Sequence, residues 1–413
     1  MNWFPAIVLA GVIFLIAMRG RWTGYKIWHV MAIGAMLVVF SGYFSPVQAL
    51  ESINLDVMLF LFGMFVVGEA MEESGYLNRL AAMLYSHGKT VNHMVLLTLF
   101  GVGTASALLM NDTLAIIGTP LMLYLASKNR IDSKLLLMTL AFAITIGSTM
   151  SPIGNPQNLL VAVGGGVDNP FLTFGRYLLV PTLVNLFIAY LWLRYVYRKE
   201  FNRPATMDKD IVVRDPHLAG LCKVSVGIML ALIALKIILV STGSGMDFPL
   251  TYIALASAAP ILFFGRSRAK IIRNVDWGTL IFFAAMFILM SAVWDSGIVQ
   301  NALSEIGINL LSVGAILVVS VLLSQVMSNV PLVALYLPLL LTWGASTREL
   351  MALAAGSTIA GNMLIIGAAS NIIIIQNAEK HRKKAFGFME FAKAGIPLTV
   401  MNIAVYWFFL LII

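Results

Sequence analysis

The sequence predicts an all-α polytopic membrane protein of two inverted repeats, with about ten transmembrane helices and two re-entrant hairpins. Three observations predict it. Hydrophobic runs long enough to cross a hydrocarbon core of roughly 30 Å recur from end to end. Charged residues make up 11% of the 413 positions and hydrophobic ones 60%, whereas a soluble domain carries about a quarter charged residues. Polar motifs that interrupt the apolar runs also occur twice, in the same order, in the two halves. An outer-membrane barrel would show short alternating segments instead, and the sequence has none of that pattern.

Spanning segments are expected near 3–18, 26–43, 55–72, 135–163 and 171–197, then near 218–241, 247–265, 276–294, 348–376 and 386–411. The first eighteen residues lack a basic start, and the charges Arg19 and Arg21 follow them, so they read as a retained helix rather than a signal peptide. The regions 92–127 and 307–345 are apolar but each is split by a polar tip. The segments 135–163 and 348–376 carry Gly, Pro, Ser and Asn in their interiors and read as broken helices. The stretches 76–86 and 298–306 mix polar and apolar residues and read as short amphipathic helices lying in the interface.

The net charge of +8 is concentrated in the loops 19–26, 128–134, 194–223, 266–273 and 380–384. Alternate crossings put all five on one side. The positive-inside rule makes that side cytoplasmic, which leaves both termini outside a plasma or bacterial inner membrane. Charge gathered this way answers to a lipid bilayer and not to nucleic acid. The single cysteine, Cys222, excludes an internal disulfide and any multi-thiolate metal site. The five histidines, His29, His87, His93, His217 and His381, sit near segment ends without metal-ligand spacing. There is no P-loop and no nucleophile–base constellation, so neither an enzyme nor a resident cofactor or metal is expected.

The linker 198–216 divides a first repeat, 1–197, from a second, 217–413. MFVV at 64–67 followed by EESG at 72–75 matches MFIL at 286–289 followed by WDSG at 294–297. MNDTLAIIGTP at 110–120 lies over MSNVPLVALYLP at 327–338, with Asn111 to Pro120 and Asn329 to Pro338 both nine residues apart. GSTMSPIGNPQN at 147–158 parallels GSTIAGNMLIIGAASN at 356–371. Each half makes an odd number of crossings, so the second copy is upside down. Inverted repeats interrupted at corresponding places are the sequence mark of an alternating-access transporter.

The interruptions supply the candidate site. Backbone that leaves the helix at membrane depth must line a cavity or be buried in protein. The tips carry Asn111, Asp112 and Thr113 in the first half and Ser328 and Asn329 in the second. Asn, Asp and Ser are natural N-caps, and Pro331 suits a helix opening. The breaks carry Ser148, Thr149, Gly154, Asn155 and Asn158, then Ser357, Thr358, Gly367, Ser370 and Asn371. Small and hydroxylated residues also serve close helix packing, and packing alone is an equal reading for Ser148, Thr149, Ser357 and Thr358. Asn158 and Asn371 are read as binding amides because both halves keep one there. An ionised carboxylate at membrane depth costs several kcal/mol or more, so Asp112 is read as the proton-coupling group.

Two such repeats, each with three helices, a hairpin, a broken helix and a last helix, resemble the ion transporter superfamily across almost the whole chain. The Asn111-Asp112 tip followed by Thr119-Pro120, and Ser328-Asn329-Val330-Pro331 as its partner, are similar to the arsenite permeases of the ArsB/NhaD group. The resemblance implies proton-coupled efflux of arsenite or antimonite by alternating access. Gly154-Asn155-Pro156-Gln157-Asn158 is closer to less characterised permeases named as anion transporters. The alternatives are a sodium-coupled symporter of an inorganic or carboxylate anion, with sodium at the same tips, and a sodium/proton antiporter. A homodimer and a cytoplasmic ATPase subunit on the basic linker both stay open as partners.

Overall fold

The computed structural model describes residues 3–18, 26–85, 88, 90–205, 213–242, 247–298, 311–380, 383 and 385–413. Among these residues the chain is helical without a β-strand, and its one isolated bridge joins Thr90 to Pro204. The fold is that of an all-α polytopic membrane protein.

The first half opens with α1 (Phe4–Met18), α2 (Ile27–Phe40) and a single short turn of helix, α3 (Pro46–Glu51). Ser45 starts α3 by accepting from the Gln48 N–H at 3.2 Å, and Pro46 occupies a first-turn position where its missing N–H costs nothing. Helix α4 (Leu55–Glu73) begins at Asn54, whose side chain accepts from the Val57 N–H. The amphipathic α5 (Tyr76–Tyr85) follows, as expected. Of its counterpart at 298–306, all but Ile298 lies outside the described residues.

The first hairpin rises through α6 (Val91–Leu96), a π-helical stretch (Leu97–Val102) and α7 (Gly103–Ser106). It turns over 107–110 and returns as α8 (Asn111–Asn129). The broken helix is α9 (Ser133–Ser148) and α10 (Pro156–Gly164); α11 (Pro170–Phe174), a second π-helical stretch (Gly175–Leu179) and α12 (Val180–Val196) close the half.

The second half runs α13 (Pro216–Ser241), α14 (Leu250–Phe264), a short α15 (Arg268–Asn274) and α16 (Trp277–Asp295). Its hairpin is α17 (Val313–Met327) and α18 (Asn329–Thr342). Its broken helix is α19 (Thr347–Ile359), the 3-10 turns Ala360–Asn362 and Ile365–Gly367, and α20 (Ala369–Lys380), followed by α21 (Phe388–Ile412).

Among the described residues four stretches are long and apolar enough to cross a membrane: Pro170–Val196, Pro216–Ser241, Trp277–Asp295 and Phe388–Ile412. The other apolar helices are shorter; α9, α17 and α18 stop at a break or a tip. The 19-residue α4 carries Asp56, Glu69, Glu72 and Glu73, which lowers its hydropathy.

Local geometry repeats between the halves. Helix α4 ends at Ser74 and Gly75 (φ 73°), and α16 at Ser296 and Gly297 (φ 72°). Both serines have φ −67° and ψ −19°. In each, the serine hydroxyl donates back to a helix carbonyl, Met71 in one and Val293 in the other. Packing is exchanged in the same sense. Helix α4 lies on α14 and α16 on α2; α8 lies on α20 and α18 on α10; α12 pairs with α21.

The broken helices occupy the centre. Every residue from Leu135 to Ser148 of α9 is buried, and so is every residue from Leu350 to Ile359 of α19. A helix buried all round shows no amphipathic period, so neither helix could be read for a solvent face. Basic loops meet at contacts between segments distant in sequence. Arg203 donates to the Arg130 carbonyl at 3.1 Å, Lys134 pairs with Glu390, and Lys270 pairs with Glu73. The Arg214 N–H donates to the Ser74 carbonyl at 3.0 Å.

Candidate functional site

The two hairpin tips differ in construction. At the first, four residues turn the chain, and Met110 caps α8 without a side-chain bond. Asn111 is therefore the first helical residue rather than the cap that its type suggested. Its N–H donates to the Gly154 carbonyl at 3.3 Å, which docks the tip on the first break. A Cβ on Gly154 would lie 2.7 Å from the Ser106 and Ser148 carbonyl oxygens, so only glycine allows this contact. At the second tip Ser328 alone makes the turn. It ends α17 and precedes α18 with φ 72° and ψ 162°.

Asp112 lies in the first turn of α8, where the helix dipole favours a negative charge. It is half-buried and makes no salt bridge among the described residues. Thr113, next to it, abuts Gly68 of α4; a Cβ there would come 3.0 Å from the Thr113 Cγ2 and Oγ1. The acid-bearing tip thus rides on α4 one residue from Glu69.

The first break is closed on itself. Asn155 caps α10 by accepting from the Asn158 N–H at 2.8 Å. Its Nδ2 donates to the Ser148 hydroxyl at 3.0 Å and to the Thr358 hydroxyl at 3.2 Å. Asn158 Nδ2 donates to the carbonyls of Ser148, Thr149 and Ser151 at 3.1, 3.3 and 3.0 Å. These are end carbonyls that the interrupted helix cannot satisfy. Asn158 Oδ1 accepts from Thr358 Oγ1 at 3.0 Å. Thr358 belongs to the second half, so the two breaks meet at this hydroxyl. Gln157, which the sequence did not single out, joins it at 3.4 Å.

The second break is open. Asn371 Nδ2 donates to the Gly361 carbonyl at 2.7 Å, but its Oδ1 has no partner among the described residues. The Ser370 and Ser324 hydroxyls, Gln325 Oε1 and Asn329 Oδ1 are likewise buried and unpartnered. Buried polar atoms are nearly always satisfied, so each exception needs a reason. Asn362 Oδ1 in the same break is unpartnered as well, so all six are oxygens, while the amide nitrogens of Gln325, Asn362 and Asn371 are bonded. Gln325 ties tip to break, because its Nε2 reaches the Ala360 carbonyl at 2.9 Å and Gly367 packs on its side chain. Ser357 only bonds back to the Ala354 carbonyl at 3.3 Å.

A second polar feature links the closing helices. Asn362 Nδ2 donates to Asn402 Oδ1 at 3.2 Å, and Asn402 Nδ2 to Asn185 Oδ1 at 2.9 Å. Beside them Thr182 and Tyr406 share a bond of 2.8 Å. Sequence reasoning missed Ser324, Gln325, Asn362, Asn185 and Asn402. The signal was available: an amide or hydroxyl inside an apolar run, directly after Gly361 for Asn362 and without an adjacent glycine or proline for the others. Among the described residues no three His, Cys, Asp or Glu side chains converge as a metal site would require.

A family model described as "Citrate transporter" (CitMHS) matches residues 12–349. An uncharacterized transporter of Mycobacterium bovis is 28% identical, over 85% of this chain and 84% of its own length. The silicon efflux transporter of Oryza sativa subsp. japonica is 25% identical over 90% of both chains. The P protein of Homo sapiens is 25% identical over 98% of this chain, which spans 59% of it. Among solved structures, the YdaH transporter of Alcanivorax borkumensis aligns with a TM-score of 0.58 at 15% identity, over 99% of this chain and 96% of that one. That likeness concerns the fold alone.

Proposed function

The chain belongs to the CitMHS citrate transporter family, and on that premise we propose that it is a secondary active transporter exporting a neutral inorganic polyhydroxy acid of the arsenite and antimonite type in exchange for protons. The observation that carries this reading is the set of six unpartnered, buried oxygens of the second tip and break among the described residues: Ser324, Gln325, Asn329, Asn362, Ser370 and Asn371. An uncharged M(OH)n solute brings several hydroxyl donors and needs acceptors, without a countercharge. No Lys or Arg stands among the residues of the tips and breaks, which disfavours a bare polyanion. The name of the rice relative, a silicon efflux transporter, supports a solute of the same chemical kind.

In this reading the two hairpins and broken helices carry the solute, while α1 to α4 and α13 to α16 form the scaffold against which they move. The repeats 1–197 and 217–413 exchange roles between the two open states, as inverted repeats do. Asp112 takes a proton on the outer side and releases it on the inner side, and the Gly68–Thr113 contact is where its tip meets the scaffold. The closed network of Asn155, Asn158 and Thr358 holds the breaks in register, so solute binding falls to the second half. The basic loops face the cytoplasm and both termini face outside.

A second reading is favoured by the family's description: the same oxygens coordinate sodium, and a carboxylate such as citrate binds beside it. A sodium/proton antiporter would use them for sodium alone. Reconstitution separates the three. Liposomes with an imposed pH gradient, without sodium, are followed for arsenite, silicic acid and protons. Coupled movement supports the exporter; movement of citrate or protons only after sodium is added replaces it with one of the alternatives.

A further inference from the structure

We propose that Gln325 is the specificity-determining residue of the transport site, a fixed acceptor that selects the solute by its hydroxyl groups. The proposal rests on the exporter reading and deepens it. Gln325 lies on α17, less than one turn before Ser328. Its Nε2 donates to the Val321 carbonyl and to the Ala360 carbonyl, both at 2.9 Å. These bonds fix the amide, because the reversed orientation would set Oε1 against two carbonyl oxygens, and none of the three can donate. The oxygen is then turned from them and lies against Gly367, where it has no hydrogen-bond partner among the described residues.

Gly367 allows this arrangement. A Cβ on it would lie 2.8 Å from Gln325 Oε1 and 2.6 Å from the Ala360 oxygen. Ser324 precedes Gln325 directly and Ser370 lies three residues after Gly367, and the hydroxyls of both are buried and unpartnered among the described residues.

The first half shows what the glutamine changes. Aligning Asn111 with Asn329 puts Ala107 where Gln325 stands, and aligning the breaks puts Gly154 where Gly367 stands. With alanine there, the seam closes backbone to backbone: the Asn111 N–H reaches the Gly154 carbonyl, and Gly154 sits on the Ser106 carbonyl. With glutamine, the side chain is wedged into the seam, and its oxygen faces away from the two carbonyls that it binds. This position adds to the difference in tip construction, four turn residues in the first half and Ser328 alone in the second, that separates the closed first break from the unpartnered oxygens of the second.

The test uses the full chain in liposomes under a pH gradient. Arsenous acid, with three hydroxyls, competes with its monomethyl derivative, which has two hydroxyls and a methyl of similar size. Wild type should prefer the trihydroxide by at least about tenfold, since a buried acceptor facing a methyl group stays unpaired. Gln325→Met should bring the ratio close to one, while a purely structural defect would weaken both solutes alike. Gln325→Asn, which withdraws the acceptor by one methylene, should narrow the ratio in the same direction. Equal acceptance of both solutes by wild type, or a ratio kept by either variant, overturns the proposal whether or not the other variant folds. Absence of any arsenite movement in wild type overturns the exporter reading itself, and this proposal with it.

Discussion

Thr358 of the second half donates to Asn158 of the first at 3.0 Å, two hundred residues away in sequence. The same hydroxyl accepts from Asn155 Nδ2 at 3.2 Å. One side chain therefore completes a network that otherwise lies within the first break. Thr358→Val keeps the shape and removes the hydroxyl, which leaves a buried amide oxygen and a buried N–H without their partner. An unsatisfied buried group costs about 1–3 kcal/mol. The variant should unfold several degrees below wild type in detergent, while Thr358→Ser should stay near it. A Thr358→Val protein with unchanged thermal stability would show that the network does not hold the halves together.

Asp112 carries the pH dependence in the proposed cycle. A neutral carboxylic acid can enter membrane depth far more cheaply than a carboxylate, so the tip empty of solute returns inward protonated and the proton leaves on the cytoplasmic side. Asp112→Asn fixes the neutral form. Solute exchange down its own gradient should persist in that variant, but an imposed pH gradient should no longer drive accumulation. Wild type should accumulate solute more strongly as the gradient steepens. The variant's response should be flat across the same range. Accumulation in Asp112→Asn that still follows the pH gradient would remove Asp112 from the coupling step.

How far these relationships could be read in advance depended on whether a residue breaks the apolar pattern. Asn111, Asp112 and Pro120 do so visibly, and their doubles Asn329 and Pro338 repeat the spacing, so both hairpins and both broken helices were legible. The partner of Asn158 was not, because nothing local to GNPQN specifies a threonine in the other half. Gln325 escaped for a different reason: it sits alone in a long apolar run, and its counterpart is an alanine. Helices buried on every side, such as α9 and α19, carry no periodicity from which a facing neighbour could be inferred. The tips also diverge where the motifs look alike, four turn residues in one and Ser328 alone in the other.

The chain of amides from Asn362 through Asn402 to Asn185 gives a prediction with a built-in control. Asn402→Leu removes the middle link and strands the Asn185 oxygen and the Asn362 amide nitrogen in the interior. The expected loss is about 2 kcal/mol. Replacing Asn185 by leucine as well removes one of the stranded groups, and apolar replacement of both partners of a bond is far less costly than removal of one. The double variant should therefore be more stable than the sum of its single changes implies. Strict additivity in thermal unfolding would mean that the ladder is not a coupled unit.

Ser328 offers the opposite sign. With φ 72° and ψ 162° it occupies a region that is essentially reserved for glycine, and such strain costs on the order of 1–3 kcal/mol. Glycine would relieve it at the expense of a more flexible unfolded chain, a penalty of roughly 0.5–1 kcal/mol. The strain term is the larger, so Ser328→Gly should raise stability by about 1 kcal/mol, and Ser328→Val, β-branched at positive φ, should lower it. Strain at a hairpin tip is also a store of energy against one arrangement of the site. If the second hairpin moves during transport, relieving that strain should slow turnover while the apparent affinity for the solute stays within about twofold. Thermal unfolding and initial-rate transport on the same preparation read both quantities. A glycine variant less stable than wild type would mean that the serine is held there by contacts stronger than its backbone strain.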